Sequence, residues 1–148
     1  MKKFYLIIFI FTITTIPSIS FGNVIDKLNE TLMKSGLSEN LKGEGPFTVF
    51  APLDDAFAAI SAQTYYGLLR EENKDKLVNI LGRHVFLKKI NSSEIDGEIK
   101  LKAINGEEIT IKKVNGIVYI NEAEVVTADV ETSNGIIHFI NRVLQPLN

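Results

Sequence analysis

The stretch GPFTVFAPLDDAF, residues 45–57, decides the fold. A Gly-Pro pair precedes Phe47–Ala51, an apolar run with the composition of a buried strand. Two adjacent acids, Asp54 and Asp55, then precede the helix-like segment AFAAI. The stretch therefore predicts a strand that leads directly into a helix over residues 52–60, with proline near its start and acids in its first turn.

Two interpretations of Asp54 and Asp55 remain open. A carboxylate pair can hold a metal ion or perform acid–base catalysis, whereas acids at a helix start cap the helix or face its positive end. Adjacent residues on a helix point about 100° apart, so two neighbours rarely share one ligand. We favour the helix-start interpretation for both residues.

The rest of the chain divides into a helical half and a strand-rich half. Apolar residues recur at helical spacing in four segments: 24–36, 37–41, 64–70 and 73–81. From Val85 onward the pattern favours strands, and Asn105-Gly106 and Asn115-Gly116 are strong hairpin signals between them. The sequence predicts one α+β domain, with a helical layer from the first half and a mainly antiparallel sheet or sandwich from the second.

The first 22 residues have the layout of a secretory signal peptide. Two lysines precede an apolar run, and small residues offer cleavage after Ser20 or Gly22. The run is too short to span a bilayer comfortably, so we expect export without a retained membrane anchor. The predicted domains are a leader, 1–22, and a mature domain, 23–148.

Charge and composition narrow the range of partners. Without the two lysines of the leader, 14 basic side chains stand against 18 acidic ones, which is a net charge of −4. This balance disfavours nucleic acid and simple electrostatic binding to anionic lipid. The chain has no cysteine, so an ordinary hydrophobic core must stabilise it without disulfides.

His84 and His138 are the only histidines. An enzyme that uses a metal or acid–base catalysis would combine them with Asp54 and Asp55. A metal site, however, usually needs three or more protein ligands, and no thiolate is available. His84 follows a predicted helix end, and His138 lies in the apolar run IIHFI, where we expect burial with a hydrogen-bond partner. We therefore expect structural histidines and no metal or cofactor.

Two blocks of the sequence resemble the hallmark blocks of the fasciclin domain family: GPFTVFAPLDDAF at 45–57 and NGIIHFINRVLQP at 134–146. ILGRHV at 80–85 resembles the family's Tyr-His segment, and TADVETSNG at 127–135 resembles the approach to the second block. The resemblance implies an α+β fold in which a helical layer packs on a wedge-shaped β-sandwich of about seven strands. It also implies an extracellular adhesion module without catalysis.

The resemblance marks three groups of motif residues. The first block supplies Phe47, Thr48, Val49, Phe50, Ala51, Pro52, Asp54, Asp55 and Phe57. The Tyr-His-like segment supplies Arg83 and His84. The second block supplies Asn134, Gly135, Ile137, His138 and Asn141.

The chain departs from the family pattern at three positions. Arg83 replaces the tyrosine to which an integrin-type contact is attributed, and Asn141 stands where aspartate is common. Leu53 replaces threonine, which removes a hydroxyl cap and leaves the capping of the next helix to Asp54. We further predict that Asp54 or Asp55 holds His84 by a hydrogen bond.

The sequence favours a secreted or periplasmic, non-catalytic binding module. Its expected partner is an extracellular matrix component, a surface protein or a polysaccharide, or a second copy of the chain. The alternatives are a self-associating structural protein of the envelope and, less favoured, a metal-dependent enzyme. Predicted exposed ligand contacts are Tyr65, Tyr66 and Tyr119, since tyrosine is enriched at interfaces, while ordinary half-buried tyrosines are the competing interpretation.

Overall fold

A computed structural model describes residues 26–41, 43, 45–132 and 134–144 of the chain, so the predicted leader lies outside the described residues. The described helices are α1 (Asp26–Ser35), α2 (Leu37–Asn40), α3 (Asp54–Phe57), α4 (Ala62–Leu68) and α5 (Lys74–Gly82). Single 3₁₀ turns cover Glu71–Asn73 and Ser92–Glu94. Within this part of the chain, no helix has the length and apolarity needed to cross a membrane.

Seven strands form one mixed sheet in the order β2-β1-β7-β6-β5-β4-β3. They are β1 (Phe47–Pro52), β2 (Val85–Phe86), β3 (Glu98–Lys102), β4 (Glu108–Val114), β5 (Ile117–Ile120), β6 (Ala123–Thr132) and β7 (Gly135–Ile140). Neighbouring strands run antiparallel except β1 and β7, which are parallel. The predicted α+β class and strand number are confirmed.

Two hydrophobic cores lie on opposite faces of β1 and β7. Val49, Ala51, Ile137 and Phe139 face the helices, where they meet residues such as Leu77. The alternate residues pack instead against the inner sides of β4 and β5: Phe50 and Ile140 with Ile109, Ile111 and Ile120. Because both faces are covered, β1 and β7 read as continuous apolar runs rather than alternating ones.

The predicted helix over 52–60 is shorter than expected. Pro52 is the last residue of β1, paired in register with Ile140, and the Leu53 amide donates to the carbonyl of Ile140 at 3.1 Å. Since the sheet pairing continues through Pro52, α3 begins only at Asp54, and it ends at Phe57.

Turn chemistry explains the hairpins. Asn115 and Gly116 both have positive φ, 54° and 83°, which is the two-residue turn that the Asn-Gly signal predicts between β4 and β5. Gly106, with φ 93°, lies in the connection between β3 and β4. A further tight hairpin at Asn121, with φ 51°, joins β5 to β6. The sequence does not predict this turn, because glutamate rather than glycine follows Asn121.

Candidate functional site

The two motif blocks lie side by side in the parallel pair β1–β7. The register runs from Phe47 opposite Gly135 to Pro52 opposite Ile140. The backbones of β1 and β7 approach so closely that a Cβ on Gly135 would lie 2.0 Å from the carbonyl oxygen of Phe47. The two blocks therefore pack against each other, and Gly135 is required because only a residue without Cβ fits there.

Asn134 and Asn141 fasten the two ends of the second block. The Asn134 amide nitrogen donates to the carbonyls of Leu41 at 2.8 Å and Gly43 at 3.1 Å. Asn141 exchanges two bonds with Glu124, accepting from its amide through Oδ1 at 2.9 Å and donating its own amide at 3.1 Å. Both side chains therefore satisfy backbone groups that the strands leave unpaired.

Thr48 joins the first block to the segment after β2. Its buried hydroxyl donates to the carbonyl of Lys88 and accepts from the amide of Ile90 at 2.9 Å. The next residue on the same face, Phe50, stacks on the ring of His138 with 5.0 Å between ring centroids. The first block is thus a packing and pairing element along its whole strand.

His138 is buried, as predicted, with a partner for each ring nitrogen. Its Nδ1 accepts from the amide of Asp129 at 3.0 Å, so its Nε2 carries the proton and donates to the carbonyl of Ile90 at 2.7 Å. Burial is the largest cause of a pKa below the ordinary value for this histidine. Asp129 has φ 64° in the irregular part of β6, so His138 stabilises a strained backbone position.

The prediction that an aspartate of the first block holds His84 is wrong. His84 Nε2 accepts from the amide of Leu144 at 2.9 Å, and its Nδ1 donates to the carbonyl of Ile80 at 2.9 Å. Both partners are backbone groups, because His84 turns inward at the end of α5 rather than towards α3. Burial lowers the pKa of His84 to about 4.

The predicted role of Asp54 as a cap of its own helix is also wrong. Leu53 occupies the N-cap position of α3 and makes no side-chain cap bond. Asp54 Oδ1 instead accepts from the amide of Lys27 at 3.0 Å, in the first turn of α1. Asp54 therefore caps a different helix, one that begins at the other end of the domain in sequence.

The residues of the enzyme alternative do not form one site. Asp54 is bonded to α1, Asp55 is exposed, and the two histidines bond backbone groups in different parts of the interior. Within the described ranges, no three His, Cys, Asp or Glu residues are grouped so that they could hold a metal ion.

Arg83 is almost fully buried, with 2% of its surface exposed. Its guanidinium donates twice to the half-exposed carboxylate of Glu107, and it reaches the carbonyl of Leu144 at 3.4 Å. These bonds lower the pKa of Glu107. His84 accepts from the amide of Leu144, and Arg83 donates to its carbonyl. The Arg83-His84 pair therefore bonds both backbone groups of Leu144, which lies in the second block. Glu107 carried no signal in the sequence beyond its place after a turn.

An open cleft of about 650 Å³ lies where the three motif segments meet. Its sides come from α3 and the residues after it, from the Tyr-His-like segment, from the end of the second block and from the starts of β4 and β6. Apolar lining residues include Ala56, Ala59, Ile109, Ala123 and Val143. Polar ones include Arg83, Glu108, Asn121, Glu122 and Arg142.

The cleft presents both apolar and polar groups, and its described lining includes no serine, cysteine, histidine or lysine. Small apolar side chains line part of it, and carboxylates, an amide and a guanidinium supply both acceptors and donors. Its volume falls in the range of about 300–1,000 Å³ typical of small-ligand sites. Among the lining residues, the sequence marks only Arg83 as a candidate. Ala56, Arg142, Val143 and Leu144 lie within the motif blocks but at positions that carry no chemical signal, and the others lie at strand ends and in turns without a motif.

The three candidate tyrosines differ in exposure. Tyr66 is 61% exposed and Tyr119 is half-buried, whereas Tyr65 is only 4% exposed. The Tyr65 hydroxyl donates to Glu30 at 2.6 Å, and its ring packs against Phe57. The prediction of Tyr65 as an exposed contact is therefore wrong, because α4 turns this residue into the helical core.

Comparison with known proteins places the chain in a family. The family model for the fasciclin domain matches residues 24–146, so the chain belongs to the fasciclin domain family. It is 46% identical over 134 residues to protein sll1483 of Synechocystis sp., which covers 89% of this chain and 73% of that protein.

Longer animal proteins contain similar segments. The chain is 34% identical over 133 residues to transforming growth factor-beta-induced protein ig-h3 of Sus scrofa, and 32% identical over 119 residues to human periostin. It spans only 19% and 14% of those proteins, respectively, although the matches cover 90% and 78% of this chain.

A solved FAS1 domain pair from the insect cell adhesion molecule fasciclin I has the same fold. The TM-score is 0.73 at 20% identity, with 84% of this chain and 48% of that chain covered. The sandwich-like fold expected from the two motif blocks is thereby confirmed.

Proposed function

We propose that this chain is exported, loses its leader after Ser20 or Gly22, and acts outside the cytoplasm as a non-catalytic binding module. Its partner is a matrix component, a surface protein or a polysaccharide. The family membership supports this class of function, since the solved relative comes from a cell adhesion molecule. The layout of the first 22 residues supports export.

One observation carries the proposal: the motif residues capable of chemistry are bonded within the fold, whereas the cleft beside them is open. His84 and His138 use every ring nitrogen on backbone groups, and Asp54 caps α1. The motifs therefore build a scaffold around the cleft, and binding falls to the cleft's own polar side chains.

The lining favours a ligand with both hydrogen-bond donors and acceptors. Glu108 and Glu122 accept, Arg142 donates, and Asn121 does both, beside an apolar lining formed largely of alanines. Such a site fits one or two units of a polysaccharide or a short polar loop of a protein. Because the lining carries both signs of charge, Arg83 and Arg142 with Glu107, Glu108 and Glu122, recognition rests on individual hydrogen bonds rather than on net charge. Moderate salt should therefore weaken binding little.

Binding of labelled residues 23–148 to envelope and extracellular polysaccharide from the source cells tests the proposal. We expect saturable retention that survives moderate salt. Arg142→Ala and Glu122→Gln should each weaken it, while Arg70→Ala and Glu72→Gln, exposed matched controls away from the cleft, should not.

Three outcomes are informative. Competition by purified glycan or by protein fractions would identify the ligand class. Retention unchanged by both cleft variants would move the binding site elsewhere on the domain. No saturable retention by either kind of material would overturn the proposed function.

A further inference from the structure

The solvent-facing side of β4, β5 and β6 carries an ordered set of side chains. Successive strand residues point to opposite faces of the sheet. The inward ones on these strands are buried in the core that Phe50 and Ile140 form with the inner sides of β4 and β5. Six outward residues form what we call the outer patch: Lys112, Val114, Ile117, Tyr119, Glu124 and Val126. It shares no residue with the cleft, so this inference is independent of the proposed function.

The strand register arranges the outer patch in two rows. Val114 pairs with Ile117, and Val126 lies on the outward side of β6, two residues beyond Glu124, which pairs with Tyr119. These three side chains are exposed by 46%, 38% and 49%, which makes an apolar row.

The second row has opposite charges at its ends. Lys112 pairs with Tyr119, and Tyr119 pairs with Glu124. Two strand spacings, about 9–10 Å, separate the backbones of the two charged residues. Neither makes an ion pair with another described residue, even though Glu98 lies beside Lys112 on β3.

We propose that the outer patch is the contact between two copies of this chain, related by a two-fold axis parallel to β5. Such a rotation keeps the position along the strands and exchanges β4 with β6. Lys112 of each copy then faces Glu124 of the other, the apolar row meets the apolar row, and Tyr119 meets Tyr119.

Charge complementarity selects a second copy as the occupant. A two-fold interface must match its own surface, and this row becomes complementary to itself under that rotation. A partner of one charge sign would be attracted to one end of the row and repelled by the other. The exposed aliphatic side chains of the apolar row, which lies beside the charged row, supply the apolar contact that such an interface buries.

The association should be weak. Six side chains from each copy are far fewer than the roughly 20–30 residues per side of a standard interface. We therefore expect a dimer that forms reversibly as concentration rises, rather than a permanent one.

Sedimentation velocity of residues 23–148 from about 10 μM to about 1 mM, the range of weak complexes, tests the proposal. The mean mass should rise towards that of a dimer. Lys112→Glu and Glu124→Lys should each weaken association at least ~10-fold, because like charges then face each other. An equimolar mixture of the two variants, and the double variant Lys112→Glu/Glu124→Lys, should both recover it.

Matched controls separate this contact from general charge effects. Lys76→Glu and Glu72→Lys change the net charge equally at exposed positions elsewhere. Ile117→Lys places a charge in the apolar row and should also weaken association, whereas its control, Met33→Lys on α1, should not. Circular dichroism verifies that each variant is folded. A wild-type chain that stays monomeric throughout, controls that weaken association as much as patch variants, or a mixture that fails to recover it would each overturn the proposal.

Discussion

His84 and His138 hold the backbone in opposite tautomers. His84 keeps its proton on Nδ1 and accepts at Nε2, whereas His138 keeps its proton on Nε2 and accepts at Nδ1. If either ring became charged, its accepting nitrogen would gain a proton. That N–H would then face the backbone N–H that now donates to it, and the hydrogen bond would be lost. The neutral form is therefore built into the fold, and neither ring has a free nitrogen for catalysis.

Asp54 and Asp55 are adjacent acids with different roles. Asp54→Ala should lower the free energy of unfolding by about 1 kcal/mol, because it removes the cap of α1. Asp55→Ala should change it by less than about 0.5 kcal/mol, since this side chain is exposed. Urea unfolding of both variants measures the difference, and equal losses would contradict the assigned cap.

The Arg83–Glu107 pair should respond asymmetrically to truncation. Glu107→Ala leaves a buried guanidinium without its carboxylate and should cost about 2–3 kcal/mol of unfolding free energy. Arg83→Met retains apolar bulk and leaves only a half-exposed carboxylate that water can solvate, so it should cost less. Denaturant unfolding of the two variants in parallel measures both losses of unfolding free energy. A larger loss for Arg83→Met than for Glu107→Ala would contradict this prediction.

At the scale of secondary-structure elements, the parallel pair β1–β7 organises the domain. It separates the helical core from the core enclosed by β4 and β5, and it contacts both. Short helices such as α2 and α3 have little stability of their own, so their packing against this pair maintains them.

Gly135→Ala tests the close approach in that pair. The added Cβ would meet the backbone of Phe47, which cannot move without breaking the register, so we expect a loss of about 3 kcal/mol or more. Gly67→Ala in α4 is the matched control: nothing lies within 4 Å of its Cβ, and it should stabilise by about 0.5–1 kcal/mol. Thermal unfolding that shows similar small effects for both would contradict the close approach.

At the scale of the whole molecule, the buried histidines predict acid sensitivity. The pKa of His84 is about 4 in the folded chain, below the ordinary 6.5, so the unfolded chain takes up this proton first as the pH falls. The stability that depends on neutral His84 should be fully present above pH 6.5. The free energy of unfolding should then decrease as the pH falls from about 6.5 to about 4, and His84 should account for about 3 kcal/mol of that decrease. The lowered pKa of His138 acts in the same direction.

His84→Gln separates this effect from general acid denaturation. Glutamine can still accept from the Leu144 amide but has no proton equilibrium in this range. The variant should be less stable at pH 7, yet lose less stability than the wild type between pH 6.5 and 4. Urea unfolding at several pH values measures both slopes, and parallel curves would exclude His84 as a source.

By itself, the sequence determined the features that depend on neighbouring residues. The apolar run at Phe47–Ala51 predicted β1, helical spacing predicted the N-terminal layer, and Asn115-Gly116 predicted a tight hairpin, because turn and strand preferences act within a few residues. The two motif blocks also identified the family and its α+β fold.

Only the tertiary structure decided which distant groups meet. His84 bonds to Leu144, 60 residues away in the sequence, and Asp54 bonds to Lys27, 27 residues away. Local sequence spacing therefore predicts neither partner. Tyr65 and Tyr66 are adjacent in sequence, yet one is buried and the other exposed, since the orientation of α4 against the core sets which side faces inward. Hydrogen bonds and packing between remote segments form only once the whole chain has closed around its two cores.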